Sequence, residues 1–235
     1  MQESHIKGKG ECGSCRDLER FIAGVKSFKE RFYDRHPEHM QRLIDQGQHP
    51  LALMIACSDS RVDPALLMNA APGDLFVVRN VANLVPPYRA SYAADGVGAA
   101  LEYAVRHLEV PYIIVLGHAQ CGGIKALLNM ATGAEFQSDF IGEWVSMAMD
   151  ACWQYVQDSG GEGLRQVSLE RLKDYPYLVE RAAIQGSLGN LLTYPWVREA
   201  VEQGRLSLQG WWFDLESGDL WVTSGDDSQF VPVTD

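Results

Sequence analysis

Residues 111–127, PYIIVLGHAQCGGIKAL, hold the reading that decides how this chain folds. Pro111–Gly117 is a short apolar, β-branched run closed by a polar turn, the pattern of a strand buried on both faces. Cys121 onward opens a helical stretch, with the pair Gly122-Gly123 at its start. The same order appears upstream. Leu51–Cys57, after Pro50, is a second buried run ending in the polar loop Ser58-Asp59-Ser60-Arg61. Phe76–Val78 is a third, announced by the turn residues Pro72-Gly73-Asp74. Residues 94–108 read as a helix, with Gly96, Gly98 and Ala99 small enough for close packing. Strands alternating with helices imply βαβ units and a mostly parallel sheet.

Working outward, residues 1–15 read as a flexible, Gly-containing leader. Residues 16–46 read as a charged helical arm that Pro37 divides in two. Phe21, Ile22, Val25 and Phe28 make that arm too apolar for a lone surface helix, so it is expected to wrap a partner subunit. Residues 140–204 read as largely helical, with breaks near Gly160–Gly163, Pro176 and Pro195. The stretch 206–224 reads as two strands joined by a turn at Glu216–Asp219. The fold expected is α/β: a mostly parallel β-sheet flanked by helices, with an N-terminal helical arm and a long helical segment before the C-terminal strands. Residues 16–235 are taken as a single domain.

Composition narrows the function. The 235 residues are 46% hydrophobic and 22% charged, as in an ordinary soluble globular protein. Twenty Lys and Arg against 31 Asp and Glu leave a net charge of −11, which argues against nucleic acid or an anionic membrane as partner. No apolar run approaches the ~18–20 residues a membrane helix needs, and the polar N-terminus lacks the core of a signal peptide. A cytoplasmic location is expected. Five cysteines, at 12, 15, 57, 121 and 152, are an odd and scattered set, better suited to metal ligation, reactive thiols or core positions than to disulfides.

In open parallel sheets, ligands sit beyond the carboxyl ends of the strands. Cys57 ends one predicted strand, and His118 and Cys121 follow another. Two thiolates and an imidazole suit Zn²⁺, and three protein ligands leave one coordination position for water. The alternative is two buried cysteines and a capping histidine, since free cysteine is often a core residue. In extended backbone, positions 57, 59 and 61 point the same way, so Asp59 would lie beside the metal with Arg61 orienting it. An isolated D-x-R can equally be a surface ion pair. Cys12-Gly-Ser-Cys15 with His5 is short of ligands for a closed zinc site and lacks the strand that a thioredoxin-like motif requires. Cys152 and the Trp211-Trp212 pair with Trp221 are read as packing residues.

The segments 56-ACSDSRVDP-64, 73-GDLFVVRNVAN-83, 95-DGVGAALEYAVRHL-108, 117-GHAQCGGIKAL-127 and 191-LLTYPWVRE-199 together resemble β-class carbonic anhydrases, most closely the plant-type branch. The resemblance runs in order over about residues 17–222. It implies a zinc enzyme for reversible hydration of CO₂ to bicarbonate and a proton, assembled as a homodimer or higher oligomer. By this likeness Cys57, His118 and Cys121 are the zinc ligands, and Asp59 and Arg61 the catalytic dyad that orients zinc-bound hydroxide. Gln48, Phe76, Val81, Tyr103 and Gly122 match substrate-pocket positions, some of them supplied across a dimer interface. Some bacterial members carry a regulatory bicarbonate site. Its positions here are Met54, Arg79 and Phe213, of which only the arginine is kept, so no such switch is expected and Asp59 should pair with Arg61. Relatives that hydrolyse CS₂ or COS at the same kind of site leave that activity as the alternative, with a non-catalytic zinc or bicarbonate binder behind it.

Overall fold

The computed structural model describes residues 13–89, 95–134, 137–155, 169–224 and 229–234, with backbone alone at 13–16, 152–155 and 169–170. Cys12, most of the expected leader and the break near Gly160–Gly163 lie outside the described residues, as do the side chains of Cys15 and Cys152. The chain divides into two compact units, the first ending at Gln48 and the second running from His49.

The first unit is helical. Helix α1 (Gly13–Lys29) takes in residues assigned to the leader from sequence, and it runs into a π-helical turn, Glu30–Asp34. Helix α2 (Pro37–Gln46) follows. Pro37 separates the two helices as expected because it sits at the first position of α2, where its missing N–H costs nothing.

The second unit is built on one sheet. Its strands are β1 (Ala52–Cys57), β2 (Leu75–Asn80), β3 (Tyr112–His118), β4 (Ser207–Phe213), β5 (Leu220–Ser224) and β6 (Gln229–Pro232). They lie in the order β2-β1-β3-β4-β5-β6. Pairings from β2 through β4 are parallel, and β5 and β6 add antiparallel pairings at one edge. The expected strands all form, within a residue or two at their ends; β6 was not anticipated. Every residue of β1 is buried, which explains its unbroken apolar run.

Alternate side chains of β1 and β3 enter different cores. Leu53, Ile55, Ile113 and Val115 pack with helices α4 (Gly96–Arg106), α8 (Pro176–Leu191) and α9 (Pro195–Glu202). Met54, Ala56, Ile114 and Leu116 face the opposite way, toward Met68, Leu75 and Trp211. A third core joins α5 (Gly122–Ala131), α6 (Ile141–Tyr155), α7 (Leu169–Asp174) and α8, and it includes Cys57 and Cys121. Pro176 and Pro195 open α8 and α9 at their first turns, so the breaks expected there are helix starts. The remaining helix, α3 (Pro64–Leu67), is capped by Asp63, whose carboxylate accepts from Ala65 N–H and Leu66 N–H.

The connection from β1 leads to β2 on one side, and that from β3 leads toward β4 on the other. The crevice between the carboxyl ends of β1 and β3 is therefore the topological switch point of the sheet.

Candidate metal centre

The register pairs Ala56 of β1 with Leu116 of β3, so Cys57 and His118 leave adjacent strands at the same end. Cys121 caps α5 three residues later, after a turn in which Gln120 takes a left-handed φ of 57°. One donor atom each from Cys57, His118 and Cys121 lies within 4.8 Å of the others, and all three residues are buried. The sulfurs of Cys57 and Cys121 are 3.9 Å apart. That is far from a disulfide and close to the ~3.8 Å that two thiolates at about 2.3 Å from a tetrahedral zinc would span.

His118 Nδ1 is 2.8 Å from Ala119 O; a carbonyl can only accept, so Nδ1 carries the proton. Nε2 then presents its lone pair, buried and without a hydrogen-bond partner among the described residues. An orphaned imidazole nitrogen facing two thiols, with the other nitrogen tied to a carbonyl, is the arrangement a metal-binding histidine needs. The residues present fit Zn²⁺.

The three side chains are electrostatically linked. The hydrogen bond from Cys121 holds Cys57 well below the ordinary thiol pKa, and the same contact, with burial, pushes Cys121 up. Burial alone would lower the pKa of His118, but the nearby Cys57 sulfur outweighs it and the net shift is upward.

Asp59 Oδ2 is 3.9 Å from His118 Nε2. Arg61 grips that carboxylate with Nη2 at 2.7 Å from Oδ2 and Nε at 2.9 Å from Oδ1. The sequence reading had these residues in extended backbone. Instead β1 ends at Cys57, and residues 58–61 turn, with Asp59 Oδ1 accepting from the main-chain N–H of Arg61 at 3.0 Å. The two side chains still meet, through an Asx-type turn and not through strand alternation. Arg61 holds the Asp59 carboxyl far below the usual carboxylate range. Its Nη2 also donates to Gln120 O at 3.2 Å, linking the loops after β1 and β3.

The pocket positions fall into groups. Gly122 is the exposed first residue of α5, with open space where a Cβ would stand. Val81 follows β2, accepts at its carbonyl from Trp144 Nε1 at 2.7 Å, and lines a groove of about 1070 Å³ with Arg79, Asn80 and Trp144. Phe76 and Tyr103 stack on each other, ring centroids 5.9 Å apart, and Tyr103 is 47% exposed. Phe76 pairs with Leu53, four residues before Cys57, so this stack lies roughly 13 Å back along the strands from the sulfur ligands. Gln48 is the last residue of the first unit.

Three side chains at the site escaped the sequence reading. Arg79 was noted only for the missing regulatory site, yet it donates to Cys57 O at 3.0 Å, Asp59 O at 2.6 Å and Asp63 Oδ2 at 2.7 Å. Glu216, in the β4–β5 turn, accepts from Gln120 Nε2 at 2.7 Å. Glu180, on α8, is 3% exposed and accepts from Cys121 N–H and Trp212 Nε1, each at 3.1 Å. An acid-base pair, Glu180-Arg181, inside the otherwise apolar stretch Leu178–Ile184 was the available signal for Glu180; contacts of Arg79 and Glu216 depend on residues far off in sequence. Of the regulatory positions, Met54 is fully buried and Phe213 is partly buried.

An α/β sheet whose switch point holds a buried Cys-His-Cys set beside an ion-paired aspartate defines a protein with a site for a soft divalent metal. A family model described as carbonic anhydrase matches residues 52–220. A carbonic anhydrase of Synechocystis sp. is 37% identical over 218 residues, covering 91% of this chain and 74% of that one. The structure of the β-carbonic anhydrase CcaA is 36% identical, covers 94% of this chain and 93% of its own, and superposes with a TM-score of 0.77. A Coccomyxa β-carbonic anhydrase in complex with acetazolamide is 27% identical, with 87% and 85% coverage and a TM-score of 0.67. The chain belongs to the β-carbonic anhydrase family and is a carbonic anhydrase. Among the described residues, no helix is long and apolar enough to cross a membrane.

Proposed function

We propose that the chain catalyses reversible hydration of CO₂ to bicarbonate and a proton at a zinc ion held by Cys57, His118 and Cys121, with Asp59 and Arg61 as the catalytic dyad. The observation that carries this reading is the orphaned His118 Nε2 facing two thiols 3.9 Å apart, with a fixed carboxylate 3.9 Å away. Zinc bound there supplies a Lewis acid that lets water lose a proton near neutral pH. Asp59, kept ionised by Arg61, is purely an acceptor. It takes a hydrogen bond from the attacking water, turning a lone pair toward the carbon, and keeps no proton. Arg79 and Arg61 hold the two loops, so the acceptor does not drift.

Gly122 and Val81 lie close to the ligands and are the pocket residues this chain gives its own site. Phe76 and Tyr103 sit too far back for that, which supports their serving the pocket of a second copy in a homodimer or larger assembly. Gln48 is a further pocket residue by family likeness. Unpaired cysteines as ligands suit a reducing compartment, in keeping with a cytoplasmic enzyme.

Metal analysis paired with stopped-flow CO₂ hydration, and with a sulfide-release assay on CS₂ and COS, tests the reading. Wild-type protein should carry stoichiometric zinc and hydrate CO₂. Cys57→Ala and His118→Ala should lose metal and activity together. Asp59→Asn should keep zinc and lose turnover by about a hundredfold, the cost of a misaligned reactant. Full activity in D59N, or activity without metal, overturns the proposal.

A further inference from the structure

Resting on the zinc reading above, we propose that Glu180 is a positioning residue for the metal centre: its carboxylate clamps the main-chain N–H of Cys121 and the Trp212 indole together, and so sets where the Cys121 sulfur points.

The turn between the two ligands on this side of the site needs such a clamp. Gln120 is held at φ 57°, a region that costs a non-glycine residue about 1–3 kcal/mol and persists only where its surroundings fix it. Arg61 pulls on Gln120 O from one side and Glu216 holds the Gln120 side chain. Glu180 holds the following N–H from behind at 3.1 Å. Cys121 is the N-cap of α5, with φ −64° and ψ 122°, so its N–H points away from the helix. With φ and ψ set by the helix start, holding that N–H fixes the direction of the Cα–Cβ bond, and so the place from which the sulfur reaches the site.

Glu180 itself cannot slide. Its neighbour Arg181 stacks over Trp212 and Trp221, with Cζ 4.3 and 4.4 Å from the ring centroids, and Tyr177 and Phe230 close the cage. The pair Glu180-Arg181 thus locks α8 to β4 through Trp212 and leaves the carboxylate one place to reach. A residue that served packing alone would not be a carboxylate, because burying one is costly unless its oxygens are used.

The test exploits the fact that both partners donate. Gln in place of Glu180 has one acceptor oxygen and must set its NH₂ against the other donor. Zinc release from the folded holoenzyme to a chromophoric chelator should therefore be about 10–100-fold faster in E180Q, the usual cost of losing a group that orients a ligand. Trp212→Phe removes one of the two donors, so E180Q/W212F should release zinc more slowly than E180Q, approaching W212F alone. A merely structural role would make the two penalties add. Zinc release from E180Q at the wild-type rate, or from the double variant no slower than from E180Q, overturns the proposal while the metal site stands. Wild-type protein that retains no zinc removes both. Should E180Q fail to fold, Glu180→Asp withdraws the same two acceptors by one methylene, and wild-type zinc release from it would equally overturn the clamp.

Discussion

Arg61 keeps Asp59 ionised well into acid. Because its folded-state pKa lies below the unfolded value of about 3.9, the ion pair stabilises the fold fully above about pH 4. That contribution is lost as the pH falls through the lower folded value, where the carboxylate takes a proton. In Arg61→Ala the carboxyl should titrate near the ordinary value. The stability gap between wild type and R61A should then be constant from neutrality down to about pH 4 and narrow in more acidic solution. Denaturant melts of both proteins across that range measure it; a gap that widens toward acid would refute the pairing. Within the whole pH range of a working enzyme Asp59 stays ionised, so any activity limb near neutrality belongs to another group. Glu180 is shifted the opposite way, upward by burial, although hydrogen bonds from Cys121 and Trp212 favour its charge. The two carboxylates thus differ because Asp59 meets a guanidinium and Glu180 is buried with only neutral donors against it.

Helix α5 shows how an element delivers a ligand. Its first two residues are glycines with different reasons. A Cβ at Gly123 would stand 2.7 Å from Val81 Cγ1 and 3.0 Å from Ala82 Cβ, and Ala82 is itself held at φ 64°. At Gly122 it would meet nothing within 4 Å. Gly123→Ala should therefore cost about 1–3 kcal/mol from overpacking, with Tm falling about 2–4 °C per kcal/mol, whereas Gly122→Ala should leave Tm unchanged or slightly raised. Thermal melts of the two variants side by side decide it, and equal losses would contradict the packing argument. The sequence shows the pair Gly122-Gly123 but not which glycine is crowded, because Val81 is 42 residues away. The same limit runs through the site. Strands β1 and β3 were legible because burial on both faces leaves an uninterrupted apolar run, and the candidate ligand set because Cys57 and His118 close those runs. Strand β6 was missed because Gln229–Pro232 is short, polar at its start and ends in proline, a residue that sheets accept only at edges. Asp59 and Arg61 were found as partners, but by the wrong backbone. An Asx-type turn and an extended strand both bring residues two apart to one side, and only coordinates separate them.

At the scale of the molecule, zinc would tie together three segments: the end of β1, the end of β3 and the cap of α5. Stripping the metal should lower Tm, by roughly 5–11 °C if free zinc had stood at a hundred times Kd, equivalent to about 2.7 kcal/mol, and readdition should restore it. Differential scanning fluorimetry with and without chelator reads this, and an unchanged melt would count against a bound ion. A second property concerns α1. Leu18, Phe21, Ile22 and Val25 repeat at helical spacing and are 58–69% exposed. An apolar stripe of this kind left in water forgoes the roughly 1.5–3 kcal/mol that burying each such side chain contributes, so a covering surface is strongly favoured. A second copy fits the function proposed above, in which Phe76 and Tyr103 serve the pocket of a neighbouring chain. Sedimentation equilibrium at micromolar concentration should give the wild-type protein a mass at least twice that of one chain. Ile22→Asp with Val25→Asp would bring two carboxylates into that interface and should shift the population toward smaller species, while the zinc content of each chain holds, since neither residue is near the ligands in sequence or belongs to the sheet. A wild type that sediments as a single chain, or a variant whose mass is unchanged, would show that the stripe has some other use.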